Sequence, residues 1–78
     1  MIKPEQCRAA RGLLAWSQRD LAEKAKVGIV TVRQFETGGA VPRRATIDVI
    51  RRAFEADGVE FIAENGGGAG VRLKKGSN

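Results

Sequence analysis

Histidine and tyrosine are absent from this chain, and cysteine, methionine and tryptophan occur once each. Without an imidazole there is no HExxH zinc site, no Cys/His metal cluster and no Ser/His or Cys/His couple for nucleophilic catalysis. The single cysteine, Cys7, has no partner for an internal disulfide, which fits a reducing cytoplasm. Long apolar runs are missing as well. None approaches the length that crosses a bilayer, and the N-terminus lacks a charged-then-apolar signal segment, so no membrane association is expected. Gly66 to Gly70 has the composition of a phosphate loop but lacks the GK[ST] ending and opens no helix. As candidate acids, Asp20, Glu23, Glu36 and Glu55 have ordinary capping or helix-surface explanations. An enzyme is therefore a poor reading, and no cofactor or metal is implied.

What the chain holds in excess is positive charge. Lys plus Arg is 14 against 9 for Asp plus Glu, a net +5, with a pI near 10.2. That balance favours an anionic partner, nucleic acid before membrane. The 78 residues suit one small domain with a small core, for which oligomerisation adds stability. No internal repeat is visible.

Hydrophobic spacing predicts helices over most of the chain. Pro4 suits a first helical turn, and Cys7, Ala10 and Leu14 follow at i, i+3 and i+7, giving a helix from Pro4 to about Leu14. Gly12 to Trp16 links it to the next. Ser17 is an N-cap, Asp20 completes a capping box, and Trp16 and Leu21 are placed as a hydrophobic staple. Leu21, Ala22 and Ala25 then line one face of a helix from about Gln18 to Ala25. Beyond Gly28, Ile29, Val32 and Phe35 keep helical spacing until Gly38 and Gly39 stop it. VGIVTV has β-branched character, but a strand there has no partner between two helical segments, so the helix is preferred. Thr37 to Arg44 reads as a loop, and Ile47, Ile50, Arg51 and Phe54 form one face of a helix from about Ala45 to Ala56.

After Gly58 the period changes to two. Val59 to Ala63 and Val71 to Lys74 alternate as short strands about a glycine-rich turn, which favours a hairpin with a long loop over a disordered linker. Glu60 and Glu64 are expected to face Arg72 and Lys74 across it. The expected organisation is a mainly α, four-helix unit over residues 1–58, a β-hairpin extension over 59–75 and a disordered tail over 76–78.

The stretch SQRDLAEKAKVGIVTVRQFET resembles the helix-turn-helix of the phage-repressor (Cro, or Xre) family of DNA-binding proteins. The resemblance rests on Ser17-Gln18, Leu21-Ala22, Ala25, Val27, Thr31-Val32, Phe35-Glu36, Gly38 and Pro42, and covers about Gln6 to Phe54. It departs at Lys26, where the turn commonly has Gly, at Gly28, where Ser or Thr commonly caps the recognition helix, and at Ala40, where a basic residue is common. It implies that Arg11 and Glu36 form a partly buried structural ion pair, and that Gln18 contacts phosphate.

The second helix of such a unit enters the major groove N-terminal end first. Arg33 and Gln34 are then the side chains able to form bidentate bonds, Arg to guanine and Gln to adenine. Val30 can only touch a thymine methyl, and Ile29 is divided between that role and the core. Gln18, Arg19, Thr31, Arg43 and Arg44 are the expected phosphate contacts. The expected function is sequence-specific binding of double-stranded DNA in the cytoplasm, on the nucleoid, to regulate transcription. A homodimer through Val59 to Lys74 would read an inverted repeat. The competing reading is a protein-interaction module, such as the antitoxin of a toxin–antitoxin pair or an antiactivator.

Overall fold

The computed structural model describes residues 1–74. Lys75 of the expected hairpin segment and the expected tail 76–78 lie outside the described residues. Among the described residues the order is α1 (Pro4–Leu14), α2 (Gln18–Ala25), α3 (Ile29–Thr37), α4 (Arg44–Ala56), β1 (Val59–Ile62) and β2 (Gly70–Leu73). This is the mainly α fold with a C-terminal hairpin that the sequence predicts.

The first three helices end in the same way. A residue in the left-handed region turns the chain, and two backbone bonds close the last turn: Trp16 N–H to Arg11 C=O and Ala15 N–H to Gly12 C=O for α1, Val27 to Ala22 and Lys26 to Glu23 for α2, Gly39 to Gln34 and Gly38 to Phe35 for α3. Only α3 uses glycine, Gly38 at φ 75°. The other two positions are Ala15 at φ 55° and Lys26 at φ 58°. The helix-turn-helix turn therefore keeps its left-handed corner although Lys26 carries a side chain.

The apolar faces meet in one core. Cys7 and Ala10 of α1, Leu21, Ala22 and Ala25 of α2, Val32 and Phe35 of α3, and Ile47, Ile50 and Phe54 of α4 are buried together with Ile2 and Val59. Trp16, half-buried, packs against this core. Its ring stacks on Phe54 at 5.3 Å, with the Lys24 ammonium 5.6 Å from its centroid. Arg43 precedes α4 and Arg44 is its first residue, so the helix starts one position earlier than the apolar pattern marks.

The hairpin pairs Val59 with Leu73, Glu60 with Arg72, Phe61 with Val71 and Ile62 with Gly70, leaving a loop over 63–69. Strand β1 stops one residue short of Ala63, and Gly70 joins β2 instead of Lys74. Lys74 still donates to Gly58 C=O at 2.8 Å. In an antiparallel ladder bonded pairs alternate, so this bond turns the main-chain groups of Val71 and Leu73 toward the outer edge of β2. Glu60 binds Arg72 at 3.0 Å as expected. Glu64 does not face Arg72: it binds Lys3 at 2.7 Å, because the chain has left the ladder before Glu64. The apolar face of the hairpin is largely covered from within. Val59 is fully buried, and Phe61 meets Phe54 edge to face at 5.9 Å.

Buried Gln6 fixes the hairpin to α1. Its carboxamide nitrogen donates to Gly70 C=O at 2.9 Å and Ile62 C=O at 3.2 Å, and its oxygen accepts from Lys3 N–H at 2.9 Å. One side chain thus caps the start of α1 and the open end of the ladder.

Ala15 offers a clean test of the turn chemistry, since it is exposed and left-handed. Relief of its Cβ crowding, less the added freedom of glycine in the unfolded chain, should make Ala15→Gly more stable by roughly 0.5–1 kcal/mol. A urea midpoint that rises at constant m-value checks this.

Candidate nucleic-acid interface

The helix-turn-helix is held by opposite treatment of its two helix starts. At α2 the Ser17 hydroxyl accepts from Asp20 N–H at 2.9 Å, and the Asp20 carboxylate accepts from Ser17 N–H at 2.9 Å. Those bonds hold the Asp20 carboxyl below its ordinary pKa. At α3 the cap is Gly28, which offers no side chain to the first N–H groups. The cap residue therefore places no side chain over the first turn of α3.

The faces of α3 divide by burial. Val32, Phe35 and Glu36 point inward, whereas Val30, Arg33, Gln34 and Thr37 are exposed at i, i+3, i+4 and i+7 and form one outward stripe. Val30 is 57% exposed, a large apolar side chain left in solvent. Ile29 and Thr31 are half-buried. Ile29 packs against the core, so one side of it serves the fold.

Behind that stripe lies a saturated carboxylate. Glu36 is 3% exposed. Its Oε1 accepts from Arg11 Nη2 at 2.8 Å and Gln18 Nε2 at 3.0 Å, and its Oε2 accepts from Arg11 Nε at 2.7 Å and Cys7 Sγ at 3.1 Å. The Arg11 fork is bidentate, and its remaining nitrogen donates to Trp16 C=O at 3.1 Å. Arg8 donates to Glu36 C=O, at the negative end of α3. Burial raises the Glu36 pKa, but the bonds from Arg11, Gln18 and Cys7 outweigh it and hold the carboxyl below its ordinary value. Burial and the bond to Glu36 push the Cys7 thiol upward, so it stays protonated and donates.

The structure thus brings Arg11, Glu36 and Gln18 together, and places Val30, Arg33 and Gln34 on one face. Gln18 is half-buried beside Arg19, which is exposed at the start of α2. Cys7 and Arg8 were missed as members of the network. They lie four and three residues before Arg11 on α1, and that spacing marks them as its helical neighbours.

Arg43 and Arg44 are exposed and sit at the cap and first position of α4, whose first turn holds no acidic residue. Two cations at the positive end of a helix cost about 0.3–1 kcal/mol each, and an anion brought there removes the cost.

A family model described as a helix-turn-helix domain matches residues 5–61, most of the chain, from the first turn of α1 into β1. No curated protein matches the chain. Among the described residues no helix is long and apolar enough to cross a membrane.

Removing Glu36 leaves Arg11 without its carboxylate, so Glu36→Ala should cost about 3–5 kcal/mol. Exposed Glu23→Ala should change stability by less than about 0.5 kcal/mol. Because the folded pKa of Glu36 is depressed, its contribution is complete above the ordinary value of 4.5 and is lost as pH falls through the lower folded value. Urea midpoints should therefore fall more steeply in acid for the wild type than for Glu36→Ala.

Proposed function

The chain belongs to the helix-turn-helix domain family, a family of DNA-binding domains, and we propose that it is a sequence-specific transcription regulator of the phage-repressor (Cro, Xre) kind. The observation that carries this reading is the outward stripe of α3, with Val30, Arg33 and Gln34 exposed on a helix whose other face is locked into the core. An α-helix with its side chains is about 10–12 Å across, a fit to a major groove about 12 Å wide. Arg33 and Gln34 supply bidentate donors for guanine and adenine, and Val30 supplies apolar contact for a thymine methyl. Ile29 adds only its outer side. Gln18, Arg19, Thr31, Arg43 and Arg44 hold phosphates, which fix orientation without reading sequence. Its place of action is the cytoplasm, on the nucleoid.

The regulator works as a homodimer through the hairpin, presenting two α3 helices to half-sites of an inverted repeat about 34 Å apart. With Val59 and Phe61 occupied inside the chain, the contact uses the outer edge of β2. Val71 and Leu73 offer main-chain groups there, and Leu73 is 48% exposed. A second β2, antiparallel to the first, satisfies that edge and covers Leu73.

Substitution separates the roles. Arg33→Ala or Gln34→Ala should cost roughly 1–3 kcal/mol at the preferred duplex and relax preference at one position. Arg43→Ala or Arg44→Ala should weaken binding to every duplex and reduce the salt slope by about one, while leaving the free protein no less stable. Titration of a duplex selected from random DNA, beside an unrelated one, reads both effects. Equal losses on the two duplexes for Arg33→Ala would reassign that residue to phosphate.

A lysine placed on an open edge blocks pairing. Leu73→Lys should convert a dimer in light scattering to a folded monomer with weaker binding to the inverted repeat. A variant that stays dimeric and binds as tightly rules out this edge.

A further inference from the structure

Resting on the DNA-binding reading above, we infer that Glu36 is a positioning residue for DNA contact, and that it acts by fixing the carboxamide of Gln18 so that one N–H faces a backbone phosphate. The argument starts from acceptor chemistry. Each oxygen of the Glu36 carboxylate accepts two bonds, and one of the four comes from Gln18 Nε2 at 3.0 Å. A carboxamide has two N–H donors on nitrogen and an oxygen that only accepts. The oxygen cannot face a carboxylate, so the nitrogen must. One of its hydrogens is used on Glu36, and among the described residues half-buried Gln18 makes no other side-chain bond, so the second is left for an outside acceptor.

An unrestrained glutamine at this place would present its oxygen to a phosphate as readily as its nitrogen, and the oxygen is repelled. It would also lose rotamer freedom on binding. Gln18 has lost part of that freedom already, because its partner is locked by Arg11 and Cys7 and sits on the inner face of the helix whose outer face reads bases. The side chain that sets the register of α3 against α1 thereby also sets a phosphate donor of α2. The contact is with the phosphodiester, so it adds affinity to any sequence.

Two measurements on the full chain test this. In the free protein, the Gln18 side-chain amide should have an NMR order parameter near the rigid-backbone range of about 0.85, and exposed Gln34 should fall below about 0.6. On a duplex selected from random DNA, Gln18→Met, which leaves the ion pair intact, should lose about tenfold in affinity, a hydrogen bond to a charged group. A scan of single methylphosphonate replacements should show that loss at one phosphate. Glu36→Ala, corrected for its folded fraction, should lose affinity at the same phosphate and lose nothing further in the Gln18→Met background. A Gln18 amide as mobile as that of Gln34, unchanged affinity in Gln18→Met, or a Glu36→Ala loss that persists in the double variant overturns the inference. A wild-type chain that binds no duplex overturns the regulator reading and this one with it, whereas binding with uncoupled variants overturns this one alone.

Discussion

A carboxylate taken out of water must have its lone pairs filled, and Glu36 meets that requirement only when three helices are in register. Cys7 and Arg11 come from α1 and Gln18 from the first turn of α2, while Glu36 itself sits near the end of α3. The apolar core is tolerant of small slips, because dispersion is non-directional. A bidentate fork is not tolerant, because its bonds depend on angle as well as distance. The network therefore selects one arrangement of α3 against α1 from the many that the core alone would accept.

That arrangement decides which residues of α3 are left for another molecule. With Val32, Phe35 and Glu36 turned inward, helical geometry sends Val30, Arg33 and Gln34 outward. The same logic works at the other end of the molecule. Gln6 uses its amide on two strand carbonyls and a helix cap, so the hairpin is held to α1 by direction as well as by burial of Val59. Two buried polar side chains, Glu36 and Gln6, thus set the orientation of the two parts that face outward, α3 and the hairpin.

Much of this was legible from sequence because it rests on local rules. The bounds of α1, α2 and α3 follow from Pro4, the Ser17–Asp20 box and Gly38, each a residue whose own chemistry starts or stops a helix. The Arg11–Glu36 pair was legible through family resemblance, and its geometry is bidentate. What stayed hidden was non-local. Nothing near Gln6 in the chain shows that its amide will meet Ile62 and Gly70, and nothing near Trp16 shows Phe54. Strand alternation set Glu60 and Glu64 together against Arg72 and Lys74, yet the strand ends at Ile62 and Glu64 binds Lys3. Ala15 and Lys26 adopt the left-handed corner without the glycine that marks it, because the two closing bonds of each turn offset the strain.

The stack of Trp16 on Phe54 has a practical consequence. It joins the link between α1 and α2 to the last turn of α4, and Phe61 of the hairpin closes on the same ring. The chain has one tryptophan and no tyrosine, so its near-ultraviolet emission comes from this single junction. Circular dichroism at 222 nm follows the helices, which form from short-range contacts. Emission follows the meeting of segments distant in sequence. Coincidence of the two signals through unfolding is thus a direct reading of whether secondary structure and assembly are one cooperative event in so small a protein.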